Sequence, residues 1–133
     1  IYVHQDLHEM NLYPCAYSMT FNVTGNKLNA ILNQRSNDIL TANNWNVVQY
    51  AVLVHMIAQV SGLEAGELVH VIADAHIYDR HIPLVKELIK RQTYDAPVFR
   101  MNPDVKDFYE FTVDDFELED YKYGPQIKIP VAV

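Results

Sequence analysis

The sequence predicts an α+β domain in which a mixed or antiparallel sheet packs on one long buried helix. Residues 17–35 alternate apolar and polar side chains about Gly25 and Asn26, which together form a two-residue hairpin signal. The stretch 46–60 is apolar on nearly all sides, as is typical of a buried helix. Residues 68–78 are rich in Val and Ile and read as a further buried strand.

The composition is that of one ordinary globular domain. Half of the 133 residues are hydrophobic and a fifth are charged. The net charge is −7 without a basic cluster, so the composition gives no support for a nucleic-acid partner. The single cysteine cannot form an internal disulfide, and there is neither a signal peptide nor a long apolar run. These features predict a cytoplasmic protein that has no membrane partner.

The hairpin turn sets a register that brings polar residues next to the single cysteine. In this register Tyr17 faces Gln34 and Cys15 faces Ser36. Arg35 then lies diagonally beside Cys15, about 7 to 8 Å away. A guanidinium in this position favours the thiolate form of a nucleophile and can also hold an anion.

The buried helix carries one polar exception near its start, Asn46. Asn43 or Asn44, in the preceding loop, can cap the helix, and Gly62 can end it. The Asn46 carboxamide offers one acceptor and two donors. It is therefore either a structural residue at the helix start or a group that binds a ligand.

The strand over 68–78 ends in a polar cluster. Period-two geometry places Asp74, His76 and Tyr78 on one side of it. His76 and Tyr78 suit hydrogen bonding to a sugar hydroxyl, although His76 can instead be a structural partner of Asp74. Asp74, His76 and the nearby His81 also have the side chains of zinc ligands, which leaves a metal site as a less favoured alternative.

The C-terminal part of the sequence predicts smaller elements. Pro83 fits the first turn of a helix whose apolar stripe over 84–89 is expected to pack on the sheet. Short strands are predicted over 98–101, 111–116 and 127–131, with acidic turns between them.

The polar motifs, taken in order, resemble those of thymidylate synthase. The matching segments are Pro14-Cys15, Gln34-Arg35-Ser36 with Asp38, Asn46, Asp74-Ala75-His76-Ile77-Tyr78 and Pro130-Val131-Ala132-Val133. The family's polypeptide is about twice as long, so residues 1–133 are identified with the C-terminal portion of its catalytic domain. The resemblance implies a thymidylate synthase-like fold.

The resemblance also implies a reaction, the reductive methylation of dUMP to dTMP. The cosubstrate would be 5,10-methylenetetrahydrofolate, with no metal, and Cys15 would attack C6 of the pyrimidine. The implied catalytic residues are Cys15, Arg35 and Asn46. The implied substrate-binding residues are Arg35, Ser36, Asp38, Asn46, His76 and Tyr78. The implied folate-binding residues are Asp38, Ala42 and the terminal Val133.

The sequence departs from the family pattern at three positions: Ala16 stands in place of a common histidine, and Ala42 and Asn44 in place of a glycine and a proline.

Two other functions remain open, a pyrimidine nucleotide hydroxymethylase and a noncatalytic nucleotide-binding or dimerisation module. Asn46 favours the synthase, because an aspartate would better match the 4-amino group of cytosine. The resemblance implies a homodimer, and this portion alone is expected to be inactive.

Overall fold

A mixed sheet packed on one long helix forms the centre of the fold. The computed structural model of the chain describes residues 3–130. In chain order, its strands and α-helices are β1 (Ala16–Thr24), β2 (Lys27–Gln34), β3 (Asn37–Asp38), α1 (Asn43–Val60), β4 (Glu64–Ile72), β5 (Ala75–His76), α2 (Ile82–Leu88), β6 (Val98–Met101) and β7 (Phe116–Glu119).

The larger sheet has the strand order β1-β2-β4. Strand β1 pairs antiparallel with β2, and β2 pairs parallel with β4, so the sheet is mixed as predicted. A parallel pair needs a crossover connection, and α1 lies within it. Two shorter sheets, β3-β5 and β6-β7, complete the described topology. The predicted α+β class is confirmed.

The hairpin has the predicted register near its turn. Gly25 has a φ of 63°, which fits the first central position of a type II′ turn. Phe21 lies opposite Ala30 and Met19 lies opposite Leu32, as expected from the turn.

The register changes before the hairpin reaches Cys15. A bulge at Tyr17 places Ala16 rather than Tyr17 opposite Gln34, so the predicted pairing of Tyr17 with Gln34 is wrong. A bulge adds one residue to one strand and leaves it unpaired. As a result Cys15 lies opposite Arg35, whose main-chain N–H donates to the Cys15 carbonyl at 2.8 Å. The predicted pairing of Cys15 with Ser36, with Arg35 on the diagonal, is therefore also wrong.

The core lies between the β2 face of the sheet and α1. Alternate residues of β2, namely Leu28, Ala30 and Leu32, are 5%, 1% and 1% exposed. They face the helix, where Val54 and Ala58 are equally well buried. This period-two pattern is the one expected of a strand with one covered face.

The helix itself is less buried than predicted. Val54 and Ala58 are its buried residues, whereas Val48 is 58% and Trp45 79% exposed. Because α1 packs on the sheet through one face only, the expectation of a helix buried on all sides is wrong for this chain. The apolar residues on the outer face of α1 are exposed and could be covered by another protein surface.

The start of α1 differs from the prediction, whereas its end agrees with it. The helix begins at Asn43, with Ala42 at the N-cap and no side-chain cap, so capping by Asn43 or Asn44 is wrong. At the other end, Gly62 and Leu63 donate their N–H groups back to the last turn at 3.1 and 2.8 Å. This is the Schellman pattern, and it confirms the predicted role of Gly62.

Strand β4 begins four residues before the predicted start and ends at Ile72, where the chain bends. Pro83 does lie in the first turn of α2, and the predicted apolar stripe is only partly covered, with Leu84 and Val85 half-buried but Leu88 and Ile89 exposed. β6 is confirmed over its full length.

Within residues 3–130, no helix has the length and apolar character needed to cross a bilayer.

The predicted strand over 111–116 is wrong. Thr112 and Asp115 exchange side-chain and main-chain hydrogen bonds in a capping box, which starts a 3-10 turn over Val113–Asp115. Such local bonds compete with strand formation, and β7 begins only at Phe116. The described part of the predicted strand over 127–131 is irregular.

Candidate active site

The sequence-predicted site residues come together around one cavity. This cavity has a volume of about 640 Å³. The predicted residues that line it are Cys15, Arg35, Ser36, Asp38, Ala42, Asn46, His76 and Tyr78. The remaining predicted residue, Val133, lies outside the described residues.

The small sheet of β3 and β5 brings two distant segments to the cavity. The N–H of Asn37 donates to the Asp74 carbonyl at 2.9 Å, and the N–H of Ile39 donates to the His76 carbonyl at 3.0 Å. Asp38 therefore pairs directly with His76 in a parallel register. Two polar motifs that lie far apart in the sequence thus share one edge of the cavity.

Arg35 is held by the segment that leads into Cys15. Its Nη2 donates to the Tyr13 carbonyl at 2.7 Å, and its Nε donates to the Pro14 carbonyl at 3.2 Å. A guanidinium has five N–H donors, so these two bonds leave three for an anionic ligand. Cys15 is a free, half-buried thiol that also lines the cavity.

Asp74 connects Ser36 with His76. Its Oδ2 accepts a hydrogen bond from the Ser36 hydroxyl at 3.4 Å and lies 3.2 Å from Nδ1 of His76. The pairing of His76 with Asp74, one of the three interpretations from the sequence, is therefore present. Because it uses Nδ1, it leaves Nε2 for a ligand. The Tyr78 ring packs edge-on against His76, with 5.2 Å between ring centroids.

The alternative metal site receives no support from the geometry. Among residues 3–130, no group of three or more His, Cys, Asp or Glu side chains is close enough to hold a metal ion. His81 is instead fully buried, and its Nε2 is 2.8 Å from the Pro130 carbonyl, which can only accept a hydrogen bond.

Asp38 closes the turn that leads into α1. Its carboxylate accepts hydrogen bonds from the Thr41 hydroxyl at 2.6 Å and from the N–H groups of Leu40 and Thr41 at 3.0 and 3.3 Å. Partial burial opposes ionisation, but the hydrogen bonds from Thr41 and Leu40 outweigh it and hold the pKa of Asp38 below its ordinary value. Asp38 is therefore an anion at neutral pH.

Ala42 takes the place of the family's glycine without backbone strain. Its φ is −113°, in a region open to any residue. Its N–H donates to the Asp38 carbonyl at 2.9 Å, which continues the turn.

Asn46 belongs to a row of hydrogen-bonded side chains. Its Oδ1 accepts from Nε2 of Gln34 at 2.9 Å, and Oε1 of Gln34 lies 2.8 Å from Nε2 of His70. Gln34 is only 2% exposed. Burial lowers the pKa of His70, which favours its neutral form.

Sequence reasoning missed the role of Gln34. Gln34 occupies the same face of β2 as Leu28, Ala30 and Leu32, so a buried polar group was readable from the alternation. Tyr13, which anchors Arg35 only through its main-chain carbonyl, left no comparable signal in the sequence.

A second cavity of about 1020 Å³ contains none of the predicted residues. It is lined by aromatic side chains that include Trp45, Tyr94, Tyr121 and Tyr123. The larger cavity also has a guanidinium, that of Arg91, but Cys15 lines only the smaller one of these two cavities.

Comparison with known proteins gives one consistent result. The sequence model of the thymidylate synthase family matches residues 1–133. Thymidylate synthase of Bacillus licheniformis is 48% identical over 128 residues, which cover 96% of this chain and 46% of that protein. Thymidylate synthase of Bacillus phage phi3T gives the same identity and the same coverage.

A solved structure agrees with the sequence matches. The thermostable thymidylate synthase A from Bacillus subtilis superposes with a TM-score of 0.91 at 46% identity and covers 97% of this chain. The match covers 46% of that solved chain. The present chain spans about half the length of the curated relatives it matches and aligns to their C-terminal half.

Proposed function

Because the chain belongs to the thymidylate synthase family, we propose that the full-length protein converts dUMP to dTMP by reductive methylation. The observation that supports this most directly is the cavity in which Cys15, Arg35 and Asn46 meet. These residues supply a nucleophile for the pyrimidine ring, a cation for the phosphate and an amide that can recognise the base.

Cys15 would act as the nucleophile. Its thiolate adds to C6 of the uracil ring, forming a C–S bond and moving the electron pair towards C5 and O4. C5 then attacks the one-carbon unit, and loss of the C5 proton breaks the bond to tetrahydrofolate and leaves an exocyclic methylene. Hydride transfer from tetrahydrofolate to this methylene forms the methyl group, yields dihydrofolate and expels the thiolate from C6. Arg35 contacts the main chain of Cys15 and of the two residues before it, and so holds the segment that presents the thiol.

The other cavity residues would bind the nucleotide. Arg35 has donors left for the 5′-phosphate, and Ser36 lies beside it with a hydroxyl. His76 can use its Nε2 for the 3′-hydroxyl of the deoxyribose, next to the Tyr78 hydroxyl. Asn46 would read the O4 and N3 edge of the base.

The cosubstrate 5,10-methylenetetrahydrofolate would supply both the carbon and the hydride. Asp38 and Ala42 line the same cavity as the nucleotide residues, which fits this proposal. The Asp38 carboxylate keeps acceptor capacity beyond its bonds within the turn, so it can receive an N–H of the pterin. The terminal Val133 is proposed to contact the folate as well.

We also propose that the full-length protein is a homodimer and acts in the cytoplasm. The face of the sheet that turns away from α1 carries Ile31, Val69 and Val71, which are 40%, 49% and 47% exposed. A second copy stacked on this face would cover them. A reducing compartment would keep Cys15 as the thiol that the chemistry needs.

The test is an assay of the full-length protein with dUMP and methylenetetrahydrofolate. Formation of dTMP together with a rise in dihydrofolate absorbance is the expected result. A hydroxymethylated product without dihydrofolate would instead identify a nucleotide hydroxymethylase. Binding of dUMP without any turnover would favour a noncatalytic module.

A further inference from the structure

A row of three polar side chains crosses from the sheet to the cavity. His70 lies on β4, Gln34 ends the neighbouring strand β2, and Asn46 stands in the first turn of α1. Their contacts measure 2.8 Å between His70 and Gln34 and 2.9 Å between Gln34 and Asn46. Gln34 is buried, so each of its polar atoms needs a partner within the protein.

One main-chain carbonyl fixes the direction of every bond in this row. Nε2 of Gln34 is 2.8 Å from the Ser36 carbonyl, which can only accept, so the atom at that position must be a donor. The same Nε2 then donates to Asn46, whose facing atom must be Oδ1. The remaining Gln34 atom is an acceptor, and His70 must therefore carry a proton on Nε2.

We propose that His70 is a positioning residue that, through Gln34, holds Asn46 with its oxygen towards the sheet and its amide N–H groups towards the cavity. This inference rests on the proposed function. Without His70, the Gln34 oxygen is buried without a hydrogen-bond partner. This raises the free energy of the Gln34 carboxamide in its present position and favours its rotation away from it. Asn46 then loses the donor that fixes its own orientation.

The orientation of Asn46 matters for the choice of base. An amide that offers its N–H groups matches the O4 acceptor of uracil, whereas cytosine presents a 4-amino donor at that position. Oδ1 still has a second lone pair for the N3–H of uracil. His70 therefore acts on the preference between two nucleotides without contacting either of them.

The activity test uses the full-length protein and the ratio of kcat/KM for dUMP to that for dCMP. His70→Leu removes the donor and should lower this ratio by about tenfold or more. His70→Gln places an amide N–H close to the position of Nε2 and should restore most of the wild-type ratio. The matched control is His55→Leu, because His55 packs on Phe99 and lies outside the cavity, so the ratio should stay unchanged.

A second measurement is independent of turnover. Nitrogen-15 NMR of the imidazole groups in the wild-type protein should show neutral His70 as the Nε2–H tautomer. The Nδ1–H tautomer would overturn the proposal, as would an unchanged ratio in His70→Leu. If the wild type forms no dTMP, the proposed function fails, and the tautomer still decides whether the row is built as described.

Discussion

Arg35 lies directly opposite Cys15, and its main-chain N–H donates to the Cys15 carbonyl at 2.8 Å. The guanidinium reaches back to the carbonyls of Tyr13 and Pro14, so three hydrogen bonds tie one residue to the segment that presents the thiol. Arg35 therefore has two tasks in the proposed enzyme. It positions the nucleophile, and it offers its remaining donors to the phosphate.

The first prediction concerns Arg35→Lys in the full-length protein. Lysine keeps the charge but cannot donate from two separate nitrogens to both carbonyls. Losing one charged hydrogen bond costs roughly 1.5 to 3 kcal/mol, so kcat/KM for dUMP should fall about tenfold to a hundredfold. Because the thiol is also displaced, kcat should fall together with a rise in KM. Steady-state kinetics with dUMP measures both.

The matched control for this prediction is Arg100→Lys. Arg100 pairs with Glu119 on the surface of the β6–β7 ribbon, and a lysine can keep that ion pair. Its kinetic constants should stay near those of the wild type. A change in KM alone in Arg35→Lys would show that Arg35 binds phosphate but does not position Cys15.

The second prediction is that Cys15→Ser removes nearly all turnover and leaves dUMP binding largely intact. A serine hydroxyl is a far weaker nucleophile than a thiolate at neutral pH, while the groups proposed to bind the nucleotide are unchanged. Turnover is measured by dihydrofolate absorbance and dUMP binding by calorimetry. Near-normal turnover would show that Cys15 is not the nucleophile.

The sequence predicted the central elements because their signals are local. The turn at Gly25, the alternation of β2 and the cap at Gly62 depend on neighbouring residues. The bulge at Tyr17 could not be read in the same way, because it adds one residue without any turn signal. The exposed outer face of α1 could not be predicted either, because the apolar character of a residue does not identify the surface that covers it.

The candidate site was predicted better than its supporting contacts. Cys15, Arg35 and Asn46 could be found by resemblance, and the structure brings them to one cavity. The residue proposed to orient Asn46 is His70, which lies 24 residues further along the chain and is connected to it through the side chain of Gln34. Contacts of this kind follow from the fold and leave no motif in the sequence.

The third prediction is that Asn46→Asp narrows the preference of the full-length protein for dUMP over dCMP. An aspartate offers acceptors to the 4-amino group of cytosine and removes the donor that matches uracil O4. An unmet buried pair costs roughly 1 to 3 kcal/mol, or about tenfold to more than a hundredfold in the ratio of kcat/KM values. An unchanged ratio would leave Asn46 with a structural role at the start of the helix.

The fourth prediction concerns Asp38 and pH. Hydrogen bonds in the folded state hold the pKa of Asp38 below its ordinary value of 3.8, so ionised Asp38 stabilises the fold above that pH. This stabilisation is lost as the pH falls through the folded pKa. Thr41→Val removes the 2.6 Å hydroxyl bond and should lower the free energy of unfolding more at neutral pH than in acid.

Urea unfolding of the full-length wild type and of Thr41→Val, at neutral pH and in acid, measures this difference in the free energy of unfolding. A double-mutant cycle with Asp38→Ala isolates the pair, and the coupling energy should shrink once Asp38 is protonated. A coupling energy that is equal at neutral and acidic pH would show that the hydroxyl does not act on the ionised carboxylate.

The fifth prediction is that the purified 133-residue chain forms no dTMP and self-associates. It aligns to only the C-terminal half of its relatives, so any site residues in their other half are missing. Ile31, Val69 and Val71 form an exposed apolar face on the sheet, and burying such a face in a second copy is favourable. Light scattering at tens of micromolar should show dimers or larger species, whereas a clean monomer would contradict the prediction.

A charge on this face tests whether it drives the association. Val71→Asp places a carboxylate among the outward apolar residues, where burial in an interface would leave it unpaired, so self-association should weaken. Val113→Asp is the matched control, because Val113 is 86% exposed in a 3-10 turn outside the sheet. If both variants associate as strongly as the unmodified chain, the sheet face is not the interface, and the exposed side of α1 becomes the surface to test. Measurable dTMP formation by the purified chain would contradict the catalytic half of the prediction.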